Sequence, residues 1–178
     1  MFHRIKRLRV LPLLLVASWL SACNLFAPKP PPPPPQAPLP TYDRVAAIRA
    51  AGDRESSVIS VNALRDPGIT SLQDAAQQDD RAGRYTDAAG KLDQALKLSP
   101  KSPDLLQDRA EIAVRLKDYP TAERLAHESW SLGPKLGPLC ARNWQTVVEV
   151  RLLARDQPGA DSARKWVQQC HKAGIPRY

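Results

Sequence analysis

The chain has 178 residues, including 26 Lys and Arg, 18 Asp and Glu, 18 Pro and three Cys, and its formal net charge is +8. This length suffices for one small domain with a modest hydrophobic core. Four of the basic residues lie within the first nine positions, and residues 1–22 contain no acidic residue. Without that segment the net charge falls to +4, with both signs well mixed, so the composition does not indicate a nucleic-acid partner.

Residues 1–22 have the layout of a secretory signal peptide. A basic stretch is followed by the apolar run VLPLLLVASWL and then by Ser and Ala before Cys23, which is the order that export signals show. The alternative is a transmembrane anchor, but a run of about eleven apolar residues is too short to cross a bilayer. Pro12 inside the run also disfavours a stable membrane-spanning helix.

The sequence Leu-Ser-Ala-Cys at Leu20–Cys23 resembles the lipobox of bacterial lipoproteins. The resemblance implies cleavage before Cys23, a diacylglyceryl group on its sulfur and an acyl chain such as palmitate on its new amino group. Several acyl chains anchor a protein stably to a membrane, whereas one chain is marginal. Asn24 follows in place of Asp, which by the same resemblance favours the outer membrane, on its periplasmic side.

Residues 23–40 form the predicted lipid-anchored linker. Nine of the thirteen residues between positions 28 and 40 are proline. Such a run favours polyproline II, so it reaches roughly 40 Å as a semi-rigid spacer. A docking ligand for an aromatic-lined groove is the alternative interpretation.

Residues 41–68 are predicted to be irregular, with one short helix. Asp43 is a good N-cap for the segment Asp43–Ala51, and Gly52 is typical of a helix end. Ser56–Leu64 alternates weakly between polar and apolar residues and ends in a turn signal. This segment could pack on the following domain, pair with another chain or stay mobile, and the sequence leaves the three alternatives open.

A repeat with a period of 34 residues begins at Ile69. When 69–102 is aligned with 103–136, matching residues fall on Leu72/Leu106, Ala76/Ala110, Tyr85/Tyr119, Ala88/Ala122, Leu98/Leu132 and Pro100/Pro134. The period and these columns resemble the tetratricopeptide repeat (TPR), in which each unit is a pair of antiparallel helices. The second copy departs from the pattern at three positions, where Lys117 replaces a turn glycine, Ser129 replaces an alanine and Pro120 enters the turn.

A third, more divergent helical pair follows, with about seven residues inserted relative to the first two copies. Leu139–Arg155 and 160–173 carry apolar residues at helical spacing and are separated by a Pro-Gly turn. The sequence therefore predicts an all-α domain of about three TPR-like hairpins over residues 69–178.

Two cysteines remain once Cys23 is assigned to the lipid. Cys140 lies near the start of one predicted helix and Cys170 near the end of its antiparallel partner. Because these ends are neighbours and the periplasm is oxidising, we expect a disulfide between them. Two buried free thiols are the alternative.

The resemblance to TPR proteins implies a concave groove, lined by the first helix of each pair, that binds peptides or protein segments. The residues carried over to that groove are Gln73, Gln77, Arg81, Gln107, Glu111 and Arg115. The alternative is that these side chains are only the solvated faces of amphipathic helices.

No motif for catalysis, metal binding or phosphate binding accompanies this pattern. The chain lacks a glycine-rich phosphate loop and an HExxH spacing, and no His and Cys pair is accompanied by an orienting third group. We therefore expect no enzyme activity, no cofactor, no metal, no nucleic-acid partner and no small-molecule substrate.

The expected function is that of an outer-membrane lipoprotein that faces the periplasm and binds a protein of a cell-envelope machine as an adaptor or assembly factor. Secretion, pilus assembly and outer-membrane biogenesis are candidate machines. A lipoprotein that binds peptidoglycan or regulates a peptidoglycan enzyme is the alternative.

Overall fold

The structure is a computed structural model that describes residues 38–55 and 66–171. All of these residues except Pro38 belong to one compact unit, Leu39–Tyr178. The predicted signal peptide, Cys23 and most of the linker lie outside the described residues, as does Ser56–Leu64.

The described residues form seven α-helices and contain no strand, which confirms the predicted all-α fold. In chain order the helices are α1 (Arg44–Asp53), α2 (Pro67–Arg81), α3 (Tyr85–Leu98), α4 (Pro103–Arg115), α5 (Tyr119–Leu132), α6 (Pro138–Leu153) and α7 (Gln157–Gln169).

Helices α2 to α7 form three hairpins that stack side by side. The hairpins are α2–α3, α4–α5 and α6–α7, and each of them closes through a three-residue turn. Helix α3 packs on α4 and α5 packs on α6, while the first helices α4 and α6 also contact each other. This is the TPR-like arrangement that the repeat predicts, and it places the first helices on one side of the stack.

Prolines or aspartates mark the beginning of every described helix except α3. Each hairpin opens with a proline in the first turn of its first helix, at Pro67, Pro103 and Pro138. Proline suits this position because its missing N–H would have no partner there in any case. Aspartate side chains accept backbone N–H groups ahead of four helices, at Asp43, Asp66, Asp118 and Asp156.

Small residues at the repeat positions let the helices pack closely. Ala88, Ala95 and Ala122 have no exposed surface, and Leu92 packs in one cluster with Ala88 and Ala95. Ser129, which replaces an alanine in the second copy, is also fully buried, and its hydroxyl donates to the carbonyl of Pro103 at 2.6 Å. The substitution is therefore tolerated because the hydroxyl has a partner on the neighbouring helix.

The third hairpin is less extended than the sequence predicts. Helix α6 has 16 residues against 13 in α4, so the insertion is smaller than seven residues.

The structure joins the two ends of the third hairpin through a disulfide between Cys140 and Cys170, whose Cα atoms are 5.6 Å apart. Trp144 of α6 stacks on Trp166 of α7 with their ring centres 5.1 Å apart.

Within the part of the chain that the structure describes, no helix is both long and apolar enough to cross a membrane.

Candidate protein-binding groove

Helix α1 lies along the first helices of the stack and antiparallel to α6. It packs mainly on α6 and also on α4. Its start lies beside Glu149, and its end approaches the carbonyl of Pro138 at the beginning of α6. Of the three alternatives for residues 41–68, the structure therefore shows packing on the helical domain for this part.

The apolar face of α1 consists of residues at a spacing of three. Val45, Ile48 and Ala51 are at most 1% exposed. Val45 and Ile48 pack in a cluster with residues of α4, α5 and α6, among them Val114 and Val150. Such burial removes the apolar surface of Val45, Ile48 and Ala51 from water.

Gly52 allows the end of α1 to approach α6 closely. A Cβ atom built at this position would lie 2.8 Å from Cγ of Arg142 and 3.1 Å from the carbonyl oxygen of Pro138. The first of these distances is shorter than van der Waals contact permits, so a larger residue would push α1 away from α6. The glycine that indicates a helix end in the sequence thus also serves the packing.

Two arginines of α1 form ion pairs with carboxylates of the hairpins. Arg44 donates to Glu149 at 2.8 Å, and the hydroxyl of Tyr42 donates to the same carboxylate. Arg49 donates to Glu111 and to Asp80, both at 2.8 Å, so one guanidinium links α1 to α2 and α4. Charge-assisted hydrogen bonds of this kind are the stronger ones in proteins.

Arg142 of α6 binds the same carboxylate, Glu111, that Arg49 of α1 binds. Its guanidinium donates to Glu111 at 2.8 Å and to Asp108 at 2.7 Å. Burial alone would lower the pKa of Arg142, but the charges of Glu111 and Asp108 outweigh burial and raise it. Burial raises the pKa of Asp108 even though Arg142 opposes that change.

The six residues expected on the groove lie on this face but differ in access. Gln107 and Glu111 have no exposed surface, and the amide of Gln107 donates to Glu111 and to Thr146. Arg115 is partly buried, and its guanidinium donates to the carboxylate of Asp43 at 2.8 Å. The groove is therefore not open along its whole length, because α1 covers the part formed by α4 and α6.

The remaining three expected residues lie on α2, at the uncovered end of the groove. Gln73 is half-buried and donates to Asp108 at 2.7 Å, whereas Gln77 and Arg81 are exposed. Neither Gln77 nor Arg81 has a side-chain partner among the described residues. These two side chains are thus placed to contact a partner without first breaking a bond within the domain.

A pocket of 360 Å³ opens between α1, α2, α4 and α6, and one residue of α3, Leu92, also lines it. Ala76, Leu92 and Ile112 contribute apolar surface to it, and charged or amide side chains supply the rest. Those polar residues are Arg49, Asp53, Gln77, Asp80, Arg81, Asp108 and Arg142. An apolar floor with polar groups around it can hold one apolar side chain of a peptide and hydrogen-bond the backbone on either side.

The sequence predicts the short helix after Asp43 and places Glu111 on the groove, but it does not predict that the helix covers the groove or which carboxylates bind it. Asp80, Asp108, Arg142 and Glu149 are ordinary charged residues in amphipathic helices when considered one by one. One signal was present in α1 itself, where Arg44 and Arg49 flank Val45 and Ile48 in the sequence. A charged edge beside an apolar stripe indicates a helix that packs on an acidic surface.

The described ranges contain no group of three or more His, Cys, Asp or Glu side chains that could hold a metal ion.

The comparisons with known proteins agree with this architecture. A family model described as tetratricopeptide repeat matches residues 81–135. The chain is also similar to a solved structure, the globular C-terminal domain of LpoP from P. aeruginosa, with 26% sequence identity and a TM-score of 0.56. That match covers 58% of this chain and 98% of the LpoP chain. None of the curated protein sequences matches the chain. The described helices are therefore a TPR-like domain, as the repeat predicts.

Proposed function

We propose that this chain is a periplasm-facing outer-membrane lipoprotein that binds an envelope protein through the uncovered end of its groove. Lipid on Cys23 anchors it, the proline-rich linker carries the domain away from the membrane, and the protein acts as a non-catalytic adaptor or assembly factor. The similarity to the LpoP domain and the TPR match support a protein-binding role. The pocket beside α1, where Gln77, Arg81 and Asp53 have no side-chain partner among the described residues, carries the assignment of the site.

The chemistry of the pocket favours an extended peptide segment as the bound element. Leu92 and Ile112 are at most 2% exposed and form the floor on which the tip of one apolar side chain can rest. Gln77 can bond the peptide backbone. Arg81 on one helix and Asp53 on another offer one charge of each sign. A partner with one apolar anchor between charged residues would match this lining.

Site-directed photocrosslinking tests the site in the anchored protein. A photoreactive residue at position 77 should crosslink an envelope protein in cells, and Arg81→Glu should reduce that product at least about tenfold, because it reverses a charge at the pocket mouth. Gln94 is exposed on the second helix of the first hairpin, so a photoreactive residue there is the matched control. Equal crosslinking from positions 77 and 94 would place the partner elsewhere.

The identity of the captured protein separates the two functions that the sequence predicts. Subunits of a secretion, pilus or outer-membrane assembly machine would support the adaptor function. A peptidoglycan enzyme, or retention of the protein on isolated peptidoglycan, would instead support the alternative, in which this lipoprotein regulates or binds the cell wall.

A further inference from the structure

Helix α1 is attached to the rest of the domain differently from the other helices. Thirteen residues, 54–66, separate it from α2, whereas the links between all later helices have three to five residues. Thirteen residues span up to roughly 45 Å when extended. We call the surface of α4 and α6 on which α1 packs its seat. A link of this length allows α1 to leave its seat without any change in the turns within the hairpins.

The surface under α1 has a definite chemical character. Its apolar part includes Ala113 and Val114 of α4 and Val150 of α6. Its polar part contains the carboxylates of Glu111 and Glu149, which are almost completely buried while α1 is in place. Glu111 also pairs with Arg142 of α6, whereas the basic partner of Glu149 is Arg44 of α1. An exposed surface of this composition would attract a helix that combines an apolar stripe with positive charge.

We propose that this surface of α4 and α6 is a docking site for a basic amphipathic helix of a partner protein, and that α1 is the internal helix that occupies it until the partner replaces it. The proposal rests on the protein-binding function proposed above and assigns a second element of the partner to the same groove. The matching helix carries apolar residues at positions i, i+3 and i+6, as Val45, Ile48 and Ala51 do. It carries basic residues at i−1 and i+4, as Arg44 and Arg49 do.

The covalent link gives α1 an advantage over any competing helix. A short linker holds a tethered segment at an effective concentration on the order of millimolar. A free helix of equal intrinsic affinity therefore replaces α1 only poorly when its own concentration is micromolar. The partner must therefore bind more tightly than α1 or contact the adjoining pocket as well.

A peptide with the sequence of residues 41–55, labelled with a fluorophore and added to the full chain, tests whether the seat is exchangeable. In the variant Ile48→Ala the internal helix loses most of its largest buried side chain, while the seat is unchanged. We expect this variant to bind the peptide at least about tenfold more tightly than the unsubstituted chain, because the competing helix is weakened. A peptide with Arg44→Glu and Arg49→Glu is the matched control and should not bind.

Three outcomes would overturn the proposal. The first is that Ile48→Ala keeps its helical circular dichroism but does not bind the peptide. The second is equal binding of the charge-reversed peptide, which would contradict the acidic character of the seat. The third is a dimer of the unsubstituted chain, detected by light scattering and formed by exchange of α1 between two copies. The occupant of the surface would then be a second copy of this chain.

Hydrogen exchange of the unsubstituted chain tests the same proposal without any substitution that could affect folding. The amides of α1 should exchange faster than those of α4 and α6, because α1 leaves its seat without unfolding of the hairpins. Exchange of all three helices at one common rate would show that α1 is an integral part of the fold and would contradict the proposal. Loss of crosslinking at position 77 bears only on the proposed function, so the two can fail separately.

Discussion

At the scale of single residues, the turns inside the hairpins show how the repeat is built. Gly83 has a φ of +74° and Lys117, 34 residues later, has a φ of +62°. The left-handed conformation costs an ordinary residue roughly 1–2 kcal/mol and costs glycine little. The second copy of the repeat thus keeps the backbone of the first copy while lacking its glycine, and it does so at a cost in stability.

Replacing Lys117 by glycine should therefore stabilise the domain. We expect Lys117→Gly to raise the free energy of unfolding by about 0.5–1 kcal/mol, because the relief of backbone strain exceeds the entropy that glycine adds to the unfolded chain. Urea unfolding followed by circular dichroism measures the change. Gly83→Ala is the matched control with the opposite sign, since nothing lies within 4 Å of its new Cβ and only the backbone is affected. A destabilised Lys117→Gly chain would contradict this account.

At the scale of elements, α1 depends on its N-cap as well as on its seat. The carboxylate of Asp43 accepts the N–H of Ala46 at 2.9 Å and pairs with Arg115. Burial of Asp43 opposes ionisation, but the Ala46 N–H and the Arg115 guanidinium outweigh burial and lower the pKa of this carboxyl. A folded-state pKa below the unfolded value of about 3.9 means that the ionised cap stabilises α1 above that pH.

Acid should therefore loosen α1. As the pH falls from about 4 through the lowered pKa of Asp43, the cap loses its charge and its stabilisation is lost. Hydrogen exchange of the α1 amides, corrected for the intrinsic rate at each pH, should show protection falling in this window. Asp43→Asn keeps an acceptor for the Ala46 N–H but does not titrate, so it should show a smaller loss. An identical acid profile in both chains would assign the effect to the other carboxylates around α1.

The disulfide joins the start of α6 to the end of α7 and so closes the third hairpin. Cys140 and Cys170 are both buried and close a loop with a sequence separation of 30 residues. Replacing both by serine should lower the free energy of unfolding by roughly 3–4 kcal/mol, chiefly because the unfolded chain gains freedom. Denaturant unfolding checks this value, and reductant added to the double variant should cause no further change. Free thiols at both positions in non-reduced peptide mass spectra would contradict the prediction.

At the scale of the whole molecule, the proposed anchor, linker and domain act in sequence along the chain. The lipid on Cys23 would hold the protein at the membrane, and the proline-rich segment would end just before α1. The helix that covers half of the groove is therefore the one to which the linker is attached. Helix α1 is thus the neighbour of the linker in the chain, whereas the proposed docking surface lies on α4 and α6.

Removing the acceptor for the lipid should release the protein. We expect Cys23→Ser to move most of the protein from the membrane fraction to the soluble fraction, because serine lacks the sulfur that accepts the diacylglyceryl group. Cell fractionation with immunoblotting measures the shift. Cys140→Ser is the matched control and should stay in the membrane fraction, whereas retention of Cys23→Ser there would reject lipid anchoring.

The sequence by itself determined the helical repeat, because a period of 34 residues with small, large and aromatic residues in matching columns reports local geometry that each hairpin satisfies alone. It also predicted the short helix after Asp43, since caps and helix ends are local signals. Only the tertiary structure decided where that helix lies. The contacts of Arg49 with Asp80 and Glu111 join residues 31 and 62 positions apart, and no local pattern specifies such pairs. The groove was therefore predicted from the repeat, but its covering by α1 depends on long-range packing and charge.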